Sequence, residues 1–352
     1  MTIVFFFFIF SLLIFVHELG HFLAAKASGV QVNEFSIFMG PAIWKKQVGE
    51  TLYAIRCIPL GGYCAMEGED DETDNPRSFR KAAWWKRFII LIAGATMNFI
   101  IGLLMVAIVV APAKYEYKLQ IQSFEEFSTL DDYGLQVGDE ILEMDGEKMY
   151  MYSDFSMMLS LNKSPTHDLV VLRDGKEVVL DDLTMETHTV TNEDGTTSEM
   201  YGVSFTVQEL TFGGKMRQIW FTAVDWVRSV RLSLQMLLTG QASFADVSGP
   251  VGIVNQMSEV AAASPTWVDA LLNMIYFGAF IAVNLAVMNL LPIPALDGGR
   301  VVSLLLTTGI EAVIKKKLDP KYEGYIHAAG MILLLGLMAI ILFKDIFTIF
   351  KG

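Results

Sequence analysis

The chain has 352 residues, 53% of them hydrophobic, and a mean hydropathy of +0.43, too apolar for an ordinary soluble protein of this length. Its net charge of −13 speaks against nucleic-acid binding, and that charge is concentrated: Pro112 to Phe212 holds 21 acidic and 6 basic residues, which leaves the remainder slightly basic. Composition therefore divides the chain into a membrane body and an acidic, soluble insertion.

The first apolar stretch runs from Ile3 to Ala25, with no Lys or Arg before Lys26. Three more stretches reach or approach the ~20 residues needed to cross hydrocarbon: Phe88 to Val110, Ala270 to Leu291, and Ile326 to Phe343, the last with His327 as its one titratable group. Four spans are expected. The N-terminus is not a conventional signal peptide, because it lacks a basic n-region. Lys26, Lys45, Lys46, Arg56, Arg77, Arg80, Lys81, Lys86 and Arg87 lie between the first two spans, and Arg300, Lys315, Lys316, Lys317 and Lys321 between the last two. Both segments are expected to face the cytoplasm, leaving both termini and the insertion outside.

Within the first span stands His17-Glu18-Leu19-Gly20-His21. On a helix, residues four apart share a face, so both imidazoles can hold one zinc, with Glu18 beside it to take a proton from water. Two imidazoles and a carboxylate are costly in a span and usually line a functional site.

After this span, Val32 to Phe38 and Thr51 to Ile58 have strand character. Each ends in Gly/Pro punctuation, at Met39-Gly40-Pro41 and Pro59-Leu60-Gly61-Gly62-Tyr63, and a hairpin or small sheet is expected. Glu67 to Asp74 reads as a solvated acidic turn. Cys57 and Cys64 fit no zinc or redox spacing and read as reduced structural thiols. From about residue 120 to 208 the pattern is α+β: a helix at Ser153 to Leu161, then strands Leu169 to Arg173 and Glu177 to Leu180 joined at Asp174-Gly175, with a polar hairpin tip at Thr189 to Ser198. Met216 to Leu238, interrupted by Arg217, Asp225, Arg228 and Arg231, reads as an amphipathic helix at the outer membrane surface. Gln241 to Gly249 reads as a loop, Pro250 to Ala263 as a short helix, and Val301 to Val313 as a helix lying against the membrane before Lys315 to Lys317.

A catalytic zinc needs a third protein ligand and an open position. Asp297 is chosen, in Asn289-Leu-Leu-Pro292-Ile-Pro294-Ala-Leu-Asp297-Gly298-Gly299, where two prolines end the helix at the cytoplasmic end of the third span. His327 is the competing ligand, without a motif around it.

These motifs, together with Gly61-Gly62-Tyr63 and Ser248-Gly249-Pro250-Val251-Gly252, resemble the site-2 proteases, in the RseP/RasP-type bacterial branch of intramembrane zinc metalloproteases. The resemblance implies one zinc held by His17, His21 and Asp297, Glu18 as general base, and substrate held at Asn289 and Gly61, Gly62 and Tyr63. It implies a bacterial inner-membrane enzyme cleaving single-span proteins, anti-sigma factors and signal-peptide remnants, already trimmed outside by another protease. The insertion resembles one PDZ domain through Gly134-Leu135, Gly138-Asp139 and Asp145-Gly146. Ala95, Cys64-Ala65 and Tyr133 depart from the family's usual Pro, Val-Lys and small residue.

The expected architecture is an α-helical polytopic membrane protein with four transmembrane helices, a small membrane-associated β-hairpin or sheet and an inserted extracytoplasmic α+β PDZ domain. Residues 1–111 form the membrane core with the zinc motif, 112–212 the PDZ domain (core about 120–208), 213–265 the linker helices and 266–352 the remaining core. A zinc transporter or sensor would need polar residues threading several spans, whereas here they cluster at one depth. A PDZ adaptor with structural zinc would want four protein ligands, and three are apparent.

Overall fold

The structure is a computed structural model that describes residues 2–69, 73–162, 164–191, 197–241, 249–316 and 321–351. The elements begin with α1 (Thr2–Ser28), β1 (Val32–Val48), β2 (Thr51–Met66) and α2 (Trp84–Val110). There follow β3 (Tyr115–Phe124), β4 (Glu140–Met144), β5 (Glu147–Lys148), α3 (Tyr152–Leu161), β6 (Thr166–Arg173), β7 (Lys176–Thr184), β8 (His188–Thr191), β9 (Thr197–Met200) and β10 (Val203–Glu209). Five helices complete the chain: α4 (Phe212–Thr239), α5 (Pro250–Ala262), α6 (Trp267–Asn289), α7 (Asp297–Ile314) and α8 (Lys321–Lys351). The chain divides into two compact units, Met1–Val109 with Leu234–Gly352, and Val110–Ser233.

In the first unit, four helices are long and apolar enough to cross a membrane: Ile3–Ser28, Trp84–Val110, Trp267–Asn289 and Gly324–Asp345. Lipid gives no hydrophobic drive for helix to meet helix, so close approach depends on small residues. The buried face of α6 accordingly includes Gly278, Ala279, Ala282 and Ala286, beside Met274 and Val283. A Cβ added at Gly102 of α2 would stand 2.8 Å from Val283 of α6.

The two expected strands are longer than their Gly/Pro punctuation suggested, because the chain bends there and continues as strand. Val32 to Ile37 pairs along one edge with Gly62 to Met66 and along the other with Leu52 to Ile55, while Trp44 to Val48 pairs with the far side of Thr51 to Ile55. The two ribbons thus fold into a sheet of four segments. Arg56 ties its corner, donating to Glu34 Oε1 (2.6 Å), Gly40 O (2.6 Å) and Ser36 Oγ (3.0 Å). Gly62 to Met66 forms one edge of this sheet and carries no further strand among the described residues. Of the expected acidic turn, residues 70–72 lie outside the described residues, as do 192–196 of the expected hairpin tip, most of the 241–249 loop, and Lys317.

The second unit is an antiparallel sheet in the order β10-β3-β4-β6-β7, with β5 on β4 and a separate β8-β9 hairpin. Its core includes Ile121, Leu135, Ile141, Met144, Leu169, Val171 and Leu183, with Phe155 and Met158 of α3 packed on it. Asp174 and Gly175 join β6 to β7 with φ of 50° and 76°, the pair of left-handed residues that a tight hairpin turn requires. Buried Asp139 receives both Nε and Nη2 of Arg173, each at 2.7 Å. The charges interrupting the amphipathic stretch are not all turned outward. Asp225 and Arg228 are buried, and Arg228 reaches Asp154 Oδ1 (3.0 Å), Asp225 Oδ1 (3.3 Å) and the Lys148 carbonyl.

Candidate metal centre

Helical spacing places His17 and His21 one turn apart on α1, their Nε2 atoms 3.1 Å from each other. Asp297 opens α7, where the helix N-terminus favours a negative group. Its Oδ2 lies 3.1 Å from His17 Nε2 and 3.3 Å from His21 Nε2. The three side chains are largely buried, with exposures of 14%, 9% and 19%.

This triangle fits a metal better than it fits hydrogen bonding. His21 Nδ1 lies 2.8 Å from the Ile90 carbonyl, which can only accept, so Nδ1 carries the proton and Nε2 presents a lone pair. Asp297 Oδ2 is buried and accepts no well-directed hydrogen bond. Donor atoms held about 2.0–2.2 Å from a tetrahedral zinc lie roughly 3.3–3.5 Å apart, near the observed edges. His17, His21 and Asp297 are the one group of this kind among the described residues. His327 lies elsewhere: its Nδ1 accepts the Ala295 N–H at 3.2 Å.

Residues 5–337 match the family model described as peptidase family M50. The chain belongs to peptidase family M50. A candidate zinc metalloprotease of Clostridium perfringens is 36% identical over 98% of each chain. The zinc metalloprotease RasP of Geobacillus kaustophilus is 28% identical over 98% of this chain and 97% of its own. The regulator of sigma-W protease RasP of Bacillus subtilis is 27% identical over 99% of each.

In this M50 peptidase the remaining expected site residues fall around the triangle unequally. Glu18 faces the sheet edge: a Cβ added at Gly62 would stand 3.4 Å from Glu18 Cγ. Gly61 makes the preceding bend with φ of 79°. Tyr63, the next residue along, has Arg56 over its ring at 5.4 Å. Asn289 ends α6 with Nδ2 3.5 Å from His17 Nδ1. Of the Ser248 to Gly252 motif, Ser248 lies outside the described residues. Gly249 and Gly252 donate their N–H groups to Asp345 Oδ1 (3.3 Å) and Oδ2 (3.1 Å), so the motif anchors α5 to α8.

Three contributors to the site went unrecognised in the sequence reading. Gly94 of α2 makes room for the imidazoles, since a Cβ there would lie 2.4 Å from His21 Nε2; its one signal is the small run Ala93-Gly94-Ala95 inside a span. The Ile90 carbonyl fixes the His21 tautomer, and nothing in a sequence marks a carbonyl. Arg300, one turn beyond Asp297, pairs with Glu69 of the loop after β2.

Proposed function

We propose that this chain cleaves peptide bonds inside the membrane-spanning segments of single-span proteins, with His17, His21 and Asp297 holding one zinc and Glu18 acting as general base. The chain is an intramembrane zinc metalloprotease of the site-2 type. The convergence of two imidazoles and one carboxylate on a single point carries the reading, since three protein ligands leave a fourth position open.

Bound zinc supplies polarisation of the scissile carbonyl and lowers the pKa of water. The protein's own groups do the rest. A helical substrate keeps its carbonyls hydrogen-bonded and must first be drawn out into an extended segment. The edge Gly62 to Met66, which pairs with no further strand among the described residues, lies beside Glu18, so a substrate can add there as a strand. Asn289 offers its amide to a substrate backbone group that would otherwise go unpaired in apolar surroundings. Glu18 then takes the proton of the attacking water and returns it to the leaving nitrogen.

The domain reading is that residues 112–212 form a single PDZ domain outside the cell and 213–265 linker helices, with residues 1–111 and 266–352 forming the core in a bacterial plasma membrane. Both termini face out and the site lies toward the cytoplasm. The insertion screens substrates by the size of their external part, which favours anti-sigma factors and signal-peptide remnants already trimmed by another protease. A relative named for regulating sigma-W supports that substrate class. Purified full-length protein should cleave a synthetic transmembrane peptide in a zinc-dependent way, and Glu18→Gln should keep its zinc and lose cleavage. Zinc-independent cleavage, or full activity in Glu18→Gln, defeats the reading.

A further inference from the structure

The turn that delivers Asp297 cannot satisfy itself. Between Leu290 and Leu296, Pro292 and Pro294 have no N–H to place. Leu290, Leu291, Ile293 and Leu296 donate locally, to the carbonyls of Val287 (3.1 Å), Met288 (3.1 Å), Leu291 (2.7 Å) and Ile293 (3.1 Å). Ala295 alone sends its N–H to another helix, to Nδ1 of His327 on α8 at 3.2 Å. Ala295 also has φ of 83°, a left-handed conformation that a residue with a Cβ keeps only where its surroundings hold it. One turn further along α8, Gly330 lies against the same turn: a Cβ there would stand 2.4 Å from Pro294 Cβ and 2.6 Å from its carbonyl oxygen.

We propose that His327 is a positioning residue for the metal centre. It holds the Ala295 backbone in its left-handed form and so aims Asp297 at the two imidazoles, while Gly330 lets α8 come close enough to do so. This rests on the reading of His17, His21 and Asp297 as zinc ligands. The physical case is a backbone accounting: Ala295 is half-buried in an apolar turn, where its N–H needs an acceptor, and that acceptor comes from a helix that otherwise lies exposed along most of its described length. The same helix carries a second, separate anchor in Asp345, 18 residues on and so about 27 Å away along the axis, which serves as a control.

The test measures zinc affinity of the full-length protein in detergent, by competition with a chromophoric chelator, alongside cleavage. Asp297→Ala should lose zinc, which checks the underlying reading. His327→Ala should bind zinc about 10- to 100-fold more weakly, the usual effect of removing an outer partner of a metal ligand. Excess zinc should restore its turnover. His327→Asn should stay near wild type, because Oδ1 can stand where Nδ1 stood, whereas the longer His327→Gln should resemble alanine. Asp345→Asn should leave zinc affinity unchanged. If Asp297→Ala loses zinc but His327→Ala does not, the positioning role falls and the zinc reading stands. If Asp297→Ala keeps its zinc, the reading itself falls. Should the alanine variant fail to accumulate, equal affinities in the Asn and Gln variants overturn the role.

Discussion

Two buried polar clusters in this protein face the same difficulty and resolve it differently. In the first unit, two imidazole nitrogens and the Asp297 oxygen converge within 3.1–3.3 Å. In the second, Asp154 and Asp225 converge on Arg228. Carboxylates taken out of water cost several kcal/mol each unless a positive group meets them. The Val110–Ser233 unit carries its own cation, Arg228, which ties α4 to α3. The membrane unit brings together lone pairs and leaves the positive charge to come from outside. Acceptors that meet a cation of their own chain make a joint, whereas converging acceptors without one make a place for an ion.

The sharpest way to break this contrast is at Glu18, the proposed base. Glu18→Gln should lower cleavage by about 10²–10⁴-fold with zinc content unchanged, read by elemental analysis and a peptide-cleavage assay. Next in size, Arg228→Leu should destabilise the Val110–Ser233 unit by about 3–5 kcal/mol, because it removes the cation that meets buried Asp154 and Asp225. Hydrogen exchange across β3, β4 and β10 would report it, while cleavage of a peptide without an external domain should change little. Chelation should do the reverse, raising exchange in α1 around His17 and in the first turn of α7 and leaving the insertion's sheet as it was.

Smaller effects follow from protonation. Burial, and then the neighbouring Asp154, raise the Asp225 carboxyl above its ordinary value, against the opposing pull of Arg228. The folded Val110–Ser233 unit therefore favours protonated Asp225. That stability is fully present below the ordinary carboxylate range, near pH 4, and is lost as pH rises toward the raised folded value. Local stability of the Val110–Ser233 unit should fall as pH rises above about 4, and Asp225→Asn should flatten the profile with a change below about 1 kcal/mol at pH 5. A profile that rises instead would show that Arg228 dominates.

Features that repeat over a few residues were legible before any fold was known. A four-residue spacing puts His17 and His21 on one face, a run of apolar residues long enough to span lipid is a property of composition, and Asp174-Gly175 between alternating strands marks a turn by its own backbone preferences. Asp297 was legible for a related reason, since prolines at 292 and 294 must end a helix close to it.

The rest depended on partners far apart in the chain. Val32 to Ile37 pairs on both edges because β1 and β2 each bend, and no local pattern distinguishes that from a plain hairpin. Gly94 clears space for imidazoles 73 and 77 positions earlier. Asp225 and Arg228 look like a solvated face until Asp154 is brought beneath them. Local chemistry, covalently adjacent and periodic, thus determined the candidate ligand types, the count of span-length helices and the first half of the candidate site. Which groups meet, which carbonyl fixes a tautomer and which helix holds the Asp297 turn were decided by packing, because those energies exist only once distant segments share a buried surface.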